Sequence, residues 1–303
     1  MLRRTLLFLA RQPALRRWVE SSSSTQRLAH RFVAGSTLDQ ALAVCRHVRA
    51  DGLATTLDYL GESVTSLDQA AACRDTYLRM LHALNAAGLE PNVSLKLTQF
   101  GLDLSPEACE ANVAAVVETA AKFSGFVRLD MEASQYTQQT LDIVSHLHRR
   151  FSGCGTVIQA YLRRSPADVA TLCEQGIRVR LCKGAYLEEP DVAFEHKSDV
   201  DTAYLNLAQT LLLIGTYPAL ATHDEALILQ LCQFVSANKL DPANFEFQML
   251  YGIRRDLQKQ LIAEGYRLRL YIPFGEAWYP YFMRRLAERP ANLFFLLRNL
   301  FHA

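Results

Sequence analysis

Short apolar runs alternate along the chain with longer segments that have the hydrophobic spacing of helices. Eight such runs occur between residues 53 and 274, and each is followed by a helical pattern. A repeated strand–helix unit in one uninterrupted chain is typical of a barrel of parallel strands surrounded by helices. We therefore predict an α/β fold of the (β/α)8 TIM-like barrel type, with strands at 53–60, 92–100, 125–132, 155–162, 177–184, 218–223, 244–250 and 267–274.

Two serine–proline pairs mark predicted helix starts. Ser105 precedes Pro106, and Ser165 precedes Pro166. A serine hydroxyl caps free N–H groups at the start of a helix, and proline suits the first turn because its missing N–H needs no partner. The pairs predict a helix at 106–123 and another beginning at Ser165, and the apolar spacing predicts a third helix at 137–151.

A doubly wound parallel sheet is the main alternative to the barrel. Such a sheet normally carries a glycine-rich phosphate loop directly after an early strand. The nearest match, Gly153-Cys154-Gly155, has Ile158 where the third glycine should be, and it precedes a predicted strand. The barrel is therefore the better prediction.

Composition and charge narrow the class of protein. The chain has 303 residues, half of them hydrophobic, and a net charge of +1, so nucleic acid is not an expected partner. It has seven cysteines and no C-x-x-C pair. An odd number of scattered cysteines indicates reduced thiols in a cytoplasmic compartment rather than a disulfide framework. No apolar run is long enough to span a membrane.

Polar side chains recur on one face of several predicted strands. Lys96, Asp130, Arg180, Gln248 and Tyr271 each alternate with apolar neighbours. Successive strand side chains point to opposite faces, and the apolar face must meet the helices, so the polar face points into the barrel. Buried charges are costly unless they are paired or bind a ligand. An internal ion pair such as Lys96 with Asp130 is the alternative for any one pair. The whole set predicts a ligand site at the carboxyl ends of the strands, where active sites of this fold lie.

The residue types limit the kind of ligand. No histidine-rich set is present, which argues against a metal site. The run at 180–186 contains an arginine, a lysine and a glycine, and suits an anionic cofactor with a phosphate group. Asp130 and Glu246 could instead form the carboxylate pair of a glycosidase, although Lys96 and Arg180 would neutralise such a pair.

One helical face near the C-terminus has an unusual composition. Tyr281, Arg284, Arg285 and Glu288 follow the spacing i, i+3, i+4 and i+7, which places them on one face. Two guanidiniums can bind a carboxylate, and a glutamate can bind an ammonium group. This face predicts an amino-acid site, and the alternative is a solvated face with an i, i+3 ion pair.

The two ends of the chain differ in composition from the rest. Residues 1–19 contain five arginines and no acid, and four serines follow at 21–24. This pattern fits either a structural helical arm or a mitochondrial transit segment. We assign residues 1–40 to a helical arm and residues 41–303 to the barrel domain. The apolar segment 292–301 is predicted either to cap the fold as a helix or to contact a membrane surface.

Several motifs, in order along the chain, resemble those of the proline dehydrogenase family. The sequence Arg-Leu-Cys-Lys-Gly-Ala-Tyr at 180–186 and the block at 281–288 are similar to two family motifs. The resemblance implies a C-terminal helix over the active site and FAD-dependent oxidation of L-proline to Δ1-pyrroline-5-carboxylate. It further implies hydride transfer to flavin N5, a quinone as electron acceptor, and a cytoplasmic protein with peripheral contact at the inner membrane face.

The resemblance also implies roles for individual residues. Arg284 and Arg285 would bind the carboxylate of proline, and Glu62 would pair with Arg284 as a gate. The other residues implied at the substrate site are Lys96, Asp130, Leu250, Tyr271, Tyr281 and Glu288. The residues implied to contact FAD are Gln159, Arg180, Lys183, Gly184, Ala185, Tyr186, Thr222, His223 and Gln248.

Overall fold

Eight parallel strands form a closed barrel in the computed structural model, which describes residues 31–61 and 63–279. Each strand pairs with the next in chain order, and the eighth pairs with the first. The predicted (β/α)8 barrel is confirmed. The strands are β1 (Ala54–Tyr59), β2 (Asn92–Lys96), β3 (Phe126–Asp130), β4 (Cys154–Gln159), β5 (Arg178–Cys182), β6 (Ala219–Ala221), β7 (Glu246–Leu250) and β8 (Leu268–Phe274).

Helices separate consecutive strands. The helices of the described residues are α1 (Leu38–Ala50), α2 (Leu67–Ala86), α3 (Pro106–Lys122), α4 (Thr137–Arg150), α5 (Ser165–Glu174), α6 (Lys197–Ile214), α7 (Glu225–Ala237) and α8 (Arg255–Ala263). None of them is long and apolar enough to cross a membrane. Most of the predicted arm at 1–40 and the predicted C-terminal helix lie outside the described residues, so they remain predictions.

The second strand is shorter than its sequence pattern predicted. β2 ends at Lys96, and the following residues form the short 3-10 helix Leu97–Phe100. That turn is closed by Gly101, whose φ of 91° lies in the left-handed region that glycine tolerates. The turn places Lys96 at the carboxyl end of the barrel.

The serines of the two serine–proline pairs form different hydrogen bonds. Ser105 caps α3 as predicted, because its hydroxyl accepts a hydrogen bond from the Ala108 N–H at 3.2 Å. The predicted cap at Ser165 is wrong. Arg164 occupies the cap position of α5, and the Ser165 hydroxyl donates to the Gln159 carbonyl oxygen at 2.7 Å. That bond ties the first turn of α5 to the end of β4.

The main apolar core lies between the barrel and its helices. Val93 and Leu95 of β2 and Val127 of β3 have no exposed surface, and they belong to one cluster with Met80 and Leu84 of α2. Burying each large apolar side chain contributes about 1.5–3 kcal/mol relative to leaving it in water. All seven cysteines are free thiols, in agreement with the prediction.

The barrel interior is polar, as strand alternation predicted. Arg180 of β5 donates across the barrel to Ser94 of β2 at 2.9 Å, and Tyr271 of β8 donates to Asp130 of β3 at 2.8 Å. These strands are not neighbours in the sheet, so the contacts must cross the interior. Parity along each strand therefore separates the side chains that fill the barrel from those that face the helices.

Gly155→Ala should lower the free energy of unfolding by about 1–3 kcal/mol, the usual cost of overpacking. A Cβ at this position would lie 2.3 Å from the Arg178 carbonyl oxygen on the paired strand β5, and backbone cannot rotate away. Gly153→Ala is the matched control, because its Cβ would lie 3.0 Å from the nearest atom. Chemical denaturation of both variants tests this, and equal losses would contradict it.

Candidate active site

Charged side chains from four strands meet in the carboxyl-terminal half of the barrel. Lys96 Nζ lies 3.0 Å from Asp58 Oδ1 and 3.9 Å from Asp130 Oδ2. Arg180 Nη1 donates to Asp130 Oδ1 at 2.7 Å, and the Tyr271 hydroxyl donates to Asp130 Oδ2 at 2.8 Å. Asp130 is thus the centre of a buried network that joins β1, β2, β3, β5 and β8.

The principal partner of Lys96 is Asp58, which the sequence analysis left out of the site. Both Asp58 oxygens lie within 3.2 Å of Nζ, whereas the expected pair with Asp130 is longer at 3.9 Å. Asp130 instead forms its shorter ion pair with the guanidinium of Arg180, at 2.7 Å. The signal that could have identified Asp58 is its position in β1, where it shares parity with the buried Thr56 and lies next to Ser94 in the register.

The carboxylates keep Lys96 positively charged. Burial alone would lower the pKa of this ammonium, but Asp58 and then Asp130 raise it above its ordinary value. The Lys96 side chain is still 23% exposed, so the charge faces the mouth of the barrel. Burial, followed by the charge of Asp130, raises the pKa of Tyr271 well above its ordinary value, so this phenol remains a neutral donor.

Arg180 is held from three directions. Its Nε donates to Gln248 Oε1 at 2.6 Å, Nη1 donates to Asp130, and Nη2 donates to Ser94 Oγ at 2.9 Å. The guanidinium carbon lies 5.2 Å from the centroid of the Tyr271 ring. A guanidinium has five N–H donors, so two remain after these contacts with described residues. Arg180 is 5% exposed, and its guanidinium, which lies beside Asp130 at the end of β3, suits an electron-rich ligand.

Lys183, just after β5, is balanced by two carboxylates. Its Nζ lies 2.5 Å from Asp201 Oδ1 and 2.9 Å from Asp224 Oδ2. The side chain is 26% exposed, and Lys197 also contacts both aspartates. A phosphate at this point would therefore meet two lysines and two aspartates, rather than the isolated lysine that the sequence suggested.

The backbone requires glycine at position 184, directly after Lys183. Its φ is 115°, and a Cβ would lie 2.1 Å from Cδ1 of the Tyr161 ring. Any larger residue would displace the backbone that follows β5. Ala185 and Tyr186 continue the same loop, and Tyr186 is 37% exposed. The predicted cofactor run thus follows the carboxyl end of the barrel, as expected.

The ends of β4, β6 and β7 supply further polar groups. Gln159 Nε2 donates to the Glu132 carbonyl oxygen at 2.8 Å. His223 Nε2 accepts a hydrogen bond from the Leu250 N–H at 2.9 Å, which leaves the ring proton on Nδ1 in the neutral form. Thr222 Oγ1 accepts from the Asp224 N–H at 3.1 Å, at the start of α7. These contacts fix the side chains that the resemblance assigned to a cofactor.

Five of the predicted site residues lie outside the part of the chain that the structure describes. They are Glu62, Tyr281, Arg284, Arg285 and Glu288. The amino-acid site on the C-terminal helix and the gate at Glu62 therefore remain predictions. The other predicted residues belong to the carboxyl-terminal half of the barrel or to the loops that follow it.

A family model described as proline dehydrogenase matches residues 41–298. The chain belongs to the proline dehydrogenase family. The match begins at Ala41 inside α1, covers the barrel from β1 to β8 and continues through the predicted helix at 281–288. The resemblance seen in the motifs and the predicted enzyme class, proline dehydrogenase, are therefore confirmed.

The family assignment is supported by similar proteins and by a solved structure. Proline dehydrogenase 1 of Bacillus subtilis subsp. natto is 40% identical over 300 residues, which cover 99% of each chain. Proline dehydrogenase of Deinococcus radiodurans is 39% identical, covering 98% of this chain and 97% of that protein. The crystal structure of proline utilization A (PutA) from Bdellovibrio bacteriovorus, inactivated by N-propargylglycine, matches with a TM-score of 0.81 and 28% identity. The match covers 86% of this chain and 32% of the PutA chain.

Asp58→Asn should lower the free energy of unfolding by about 1.5–3 kcal/mol, the range for hydrogen bonds to charged groups. The variant removes the nearest carboxylate of Lys96 and leaves it with Asp130 at 3.9 Å and the Tyr271 hydroxyl at 3.4 Å. Asp256→Asn is the control, because its carboxylate pairs with Arg254 and is 68% exposed. That change should cost less than about 1 kcal/mol.

Denaturant titrations at several pH values test the assignment. The pKa of Lys96 is raised in the folded state, so its contribution is fully present below the unfolded-state lysine pKa of about 10.4. The contribution decreases as the pH rises above that value and is lost once the pH passes the higher folded-state pKa of Lys96. Equal destabilisation by Asp58→Asn and Asp256→Asn at neutral pH would show that the buried pair does not stabilise the barrel.

Proposed function

We propose that the protein uses bound FAD to oxidise L-proline to Δ1-pyrroline-5-carboxylate, the first step of proline catabolism to glutamate, and passes the electrons to a quinone. Family membership supports proline as the substrate. The observation that carries the cofactor assignment is Arg180, a buried guanidinium inside the barrel with two N–H donors left after its contacts with the described residues.

The donors in the site fit a flavin. The edge of an isoalloxazine ring presents carbonyl and nitrogen acceptors, and a buried guanidinium stabilises the negative charge that collects there on reduction. FAD, when bound, supplies the hydride acceptor at N5. Arg180 would face that edge, and Lys183 would lie near the pyrophosphate. Gln159, Gly184, Ala185, Tyr186, Thr222, His223 and Gln248 would complete the cofactor site.

The substrate site would use charge at one end of proline and apolar contact along its ring. Arg284 and Arg285 are predicted to bind the carboxylate. Lys96 presents a fixed positive charge at the barrel mouth, and Tyr271, whose hydroxyl is engaged by Asp130, would offer its ring face. Leu250 would form an apolar wall, and Tyr281 and Glu288 would complete the site with Glu62 as the gate.

The carboxylate-pair alternative loses support from the geometry. Asp130 forms an ion pair with Arg180 at 2.7 Å, and Glu246 forms one with Arg269 at 2.9 Å. Burial raises the pKa of Glu246, but Arg269 outweighs it and lowers the pKa below its ordinary value. A glycosidase needs one protonated carboxyl as general acid. Both carboxylates instead form ion pairs with arginines.

Delivery of electrons to a quinone would bring the protein to a membrane surface. The apolar segment 292–301 is the predicted contact, and a helix of this kind would lie in the interface rather than cross it. Peripheral association at the inner membrane face, with the barrel in the cytoplasm, follows from this proposal. Sedimentation with quinone-containing vesicles, with and without residues 292–303, would measure it.

The purified protein should show the visible absorption of an oxidised flavin, and L-proline added without oxygen should bleach it. Proline would donate two electrons and one proton as a hydride to the flavin, so the bleaching should be stoichiometric with bound cofactor. D-proline is the matched control, and it should bleach the flavin far more slowly. An oxidised spectrum that persists with L-proline would overturn the substrate assignment, and failure to bind added FAD would overturn the cofactor assignment.

Arg284→Met and Arg285→Met should each raise the KM for proline by about 10–100-fold, because each removes a charge-assisted contact with the carboxylate. The flavin should stay bound, since neither residue is assigned to it. Arg255→Met is the control and should leave KM unchanged, because Arg255 is exposed at the start of α8 and is assigned to neither the substrate nor the cofactor site. Loss of flavin from the Arg284 or Arg285 variants would mean that these residues bind the cofactor instead.

A further inference from the structure

A chain of hydrogen bonds runs from Arg180 towards the amino-terminal end of the barrel. Arg180 Nε donates to Gln248 Oε1 at 2.6 Å, and Gln248 Nε2 donates to Glu246 Oε1 at 2.5 Å. Arg269 Nε in turn donates to both oxygens of Glu246, at 2.9 and 3.1 Å. All four side chains are between 3% and 7% exposed, so water does not compete for these bonds.

The two charged ends of this chain fix the orientation of the Gln248 amide. The Glu246 carboxylate can only accept hydrogen bonds, and the Arg180 guanidinium can only donate them. The amide satisfies both neighbours only when its NH2 faces Glu246 and its oxygen faces Arg180. Arg269 keeps Glu246 in the ionised form that this arrangement needs. Glu246 therefore acts on Arg180 indirectly, because it holds the Gln248 amide whose oxygen accepts the hydrogen bond from Arg180 Nε.

Gln248 is the contact that fixes one edge of the Arg180 guanidinium. Asp130 and Ser94 engage Nη1 and Nη2, which lie at the far end of the side chain. Without an acceptor at Nε, only the bonds at Nη1 and Nη2 hold the planar group, so its tilt is less restricted. The direction of its two other N–H donors would then change.

We propose that Glu246 is a positioning residue for the flavin site, which aligns Arg180 through the amide of Gln248. This proposal rests on the proposed function, because the direction of Arg180 matters only if the guanidinium faces the flavin. Glu246 lies two residues before Gln248 on β7 and reaches the site only through that residue and Arg180. The simpler alternative is that Glu246 serves only to neutralise Arg269.

The direction in which Glu246→Gln shifts the midpoint potential of the bound flavin distinguishes these two alternatives. In Glu246→Gln, the neutral amide is a weaker acceptor than a carboxylate and can turn its own NH2 towards Gln248, so Gln248 is held less firmly against Arg180 Nε. Misalignment of Arg180 removes a stabiliser of the reduced flavin and shifts the midpoint potential to more negative values. Removal of a buried negative charge alone would shift the potential in the positive direction, because electrons are then added more easily.

Glu90→Gln is the matched control. Glu90 also pairs with Arg269, at 2.9 Å from Nη1, but it has no contact with Gln248. This variant should leave the potential unchanged. If Glu246→Gln alone fails to fold because Arg269 is left unpaired, Glu246→Gln combined with Arg269→Met removes both charges. The double variant still lacks the charged acceptor that holds Gln248, so it should show the same negative shift.

Nitrogen-15 NMR of the arginine side chains gives a second readout that does not depend on turnover. The Nε–H signal of Arg180, assigned by its absence in Arg180→Lys, should move in Glu246→Gln and stay in place in Glu90→Gln. A potential that is unchanged or more positive in Glu246→Gln, with an unmoved Arg180 signal, would overturn the positioning role while the proposed function stands. Wild-type protein that binds no flavin would overturn both.

Discussion

The ion pair between Arg180 and Asp130 is the contact on which the barrel interior depends. It joins β5 to β3 at 2.7 Å in a space where both groups are almost fully buried. A buried charge without its partner is strongly destabilising, typically by about 3–5 kcal/mol. Asp130 also accepts from Tyr271, and Arg180 also donates to Ser94 and Gln248. A single pair therefore sets the positions of side chains on five strands.

Strand parity predicted most of this interior from the sequence, because the barrel turns alternate residues inward. Lys96, Asp130, Arg180, Gln248 and Tyr271 were all identified in this way. Which of them would pair was not predictable. Lys96 selects Asp58, which is 38 residues away along the chain, because Arg180 occupies Asp130. Partner choice depends on the stagger of the strands around the barrel, and no local pattern encodes that stagger.

The same limit applies to the helix starts. Ser105 and Ser165 have the same local signature, yet only Ser105 caps its helix. Ser165 instead donates to the Gln159 carbonyl oxygen, which also accepts from the Leu162 N–H at 3.1 Å. A cap and a single hydrogen bond each contribute about 1 kcal/mol, so the local signature alone does not decide between them. The residues at 281–288 lie outside the described part of the chain, so the amino-acid site inferred from their unusual chemistry remains a prediction.

Two arginines of the barrel interior differ in the carboxylates that pair with them. Towards the amino-terminal end, Arg269 donates to two carboxylates, those of Glu246 and Glu90, and to the Thr55 carbonyl oxygen. Towards the carboxyl end, Arg180 pairs with one carboxylate among the described residues, that of Asp130, and two of its N–H donors remain after its contacts with those residues. Leaving donors of a buried cation without acceptors costs stability. A ligand that accepts hydrogen bonds from these donors offsets this loss of stability, because any ligand that prefers the native state stabilises that state.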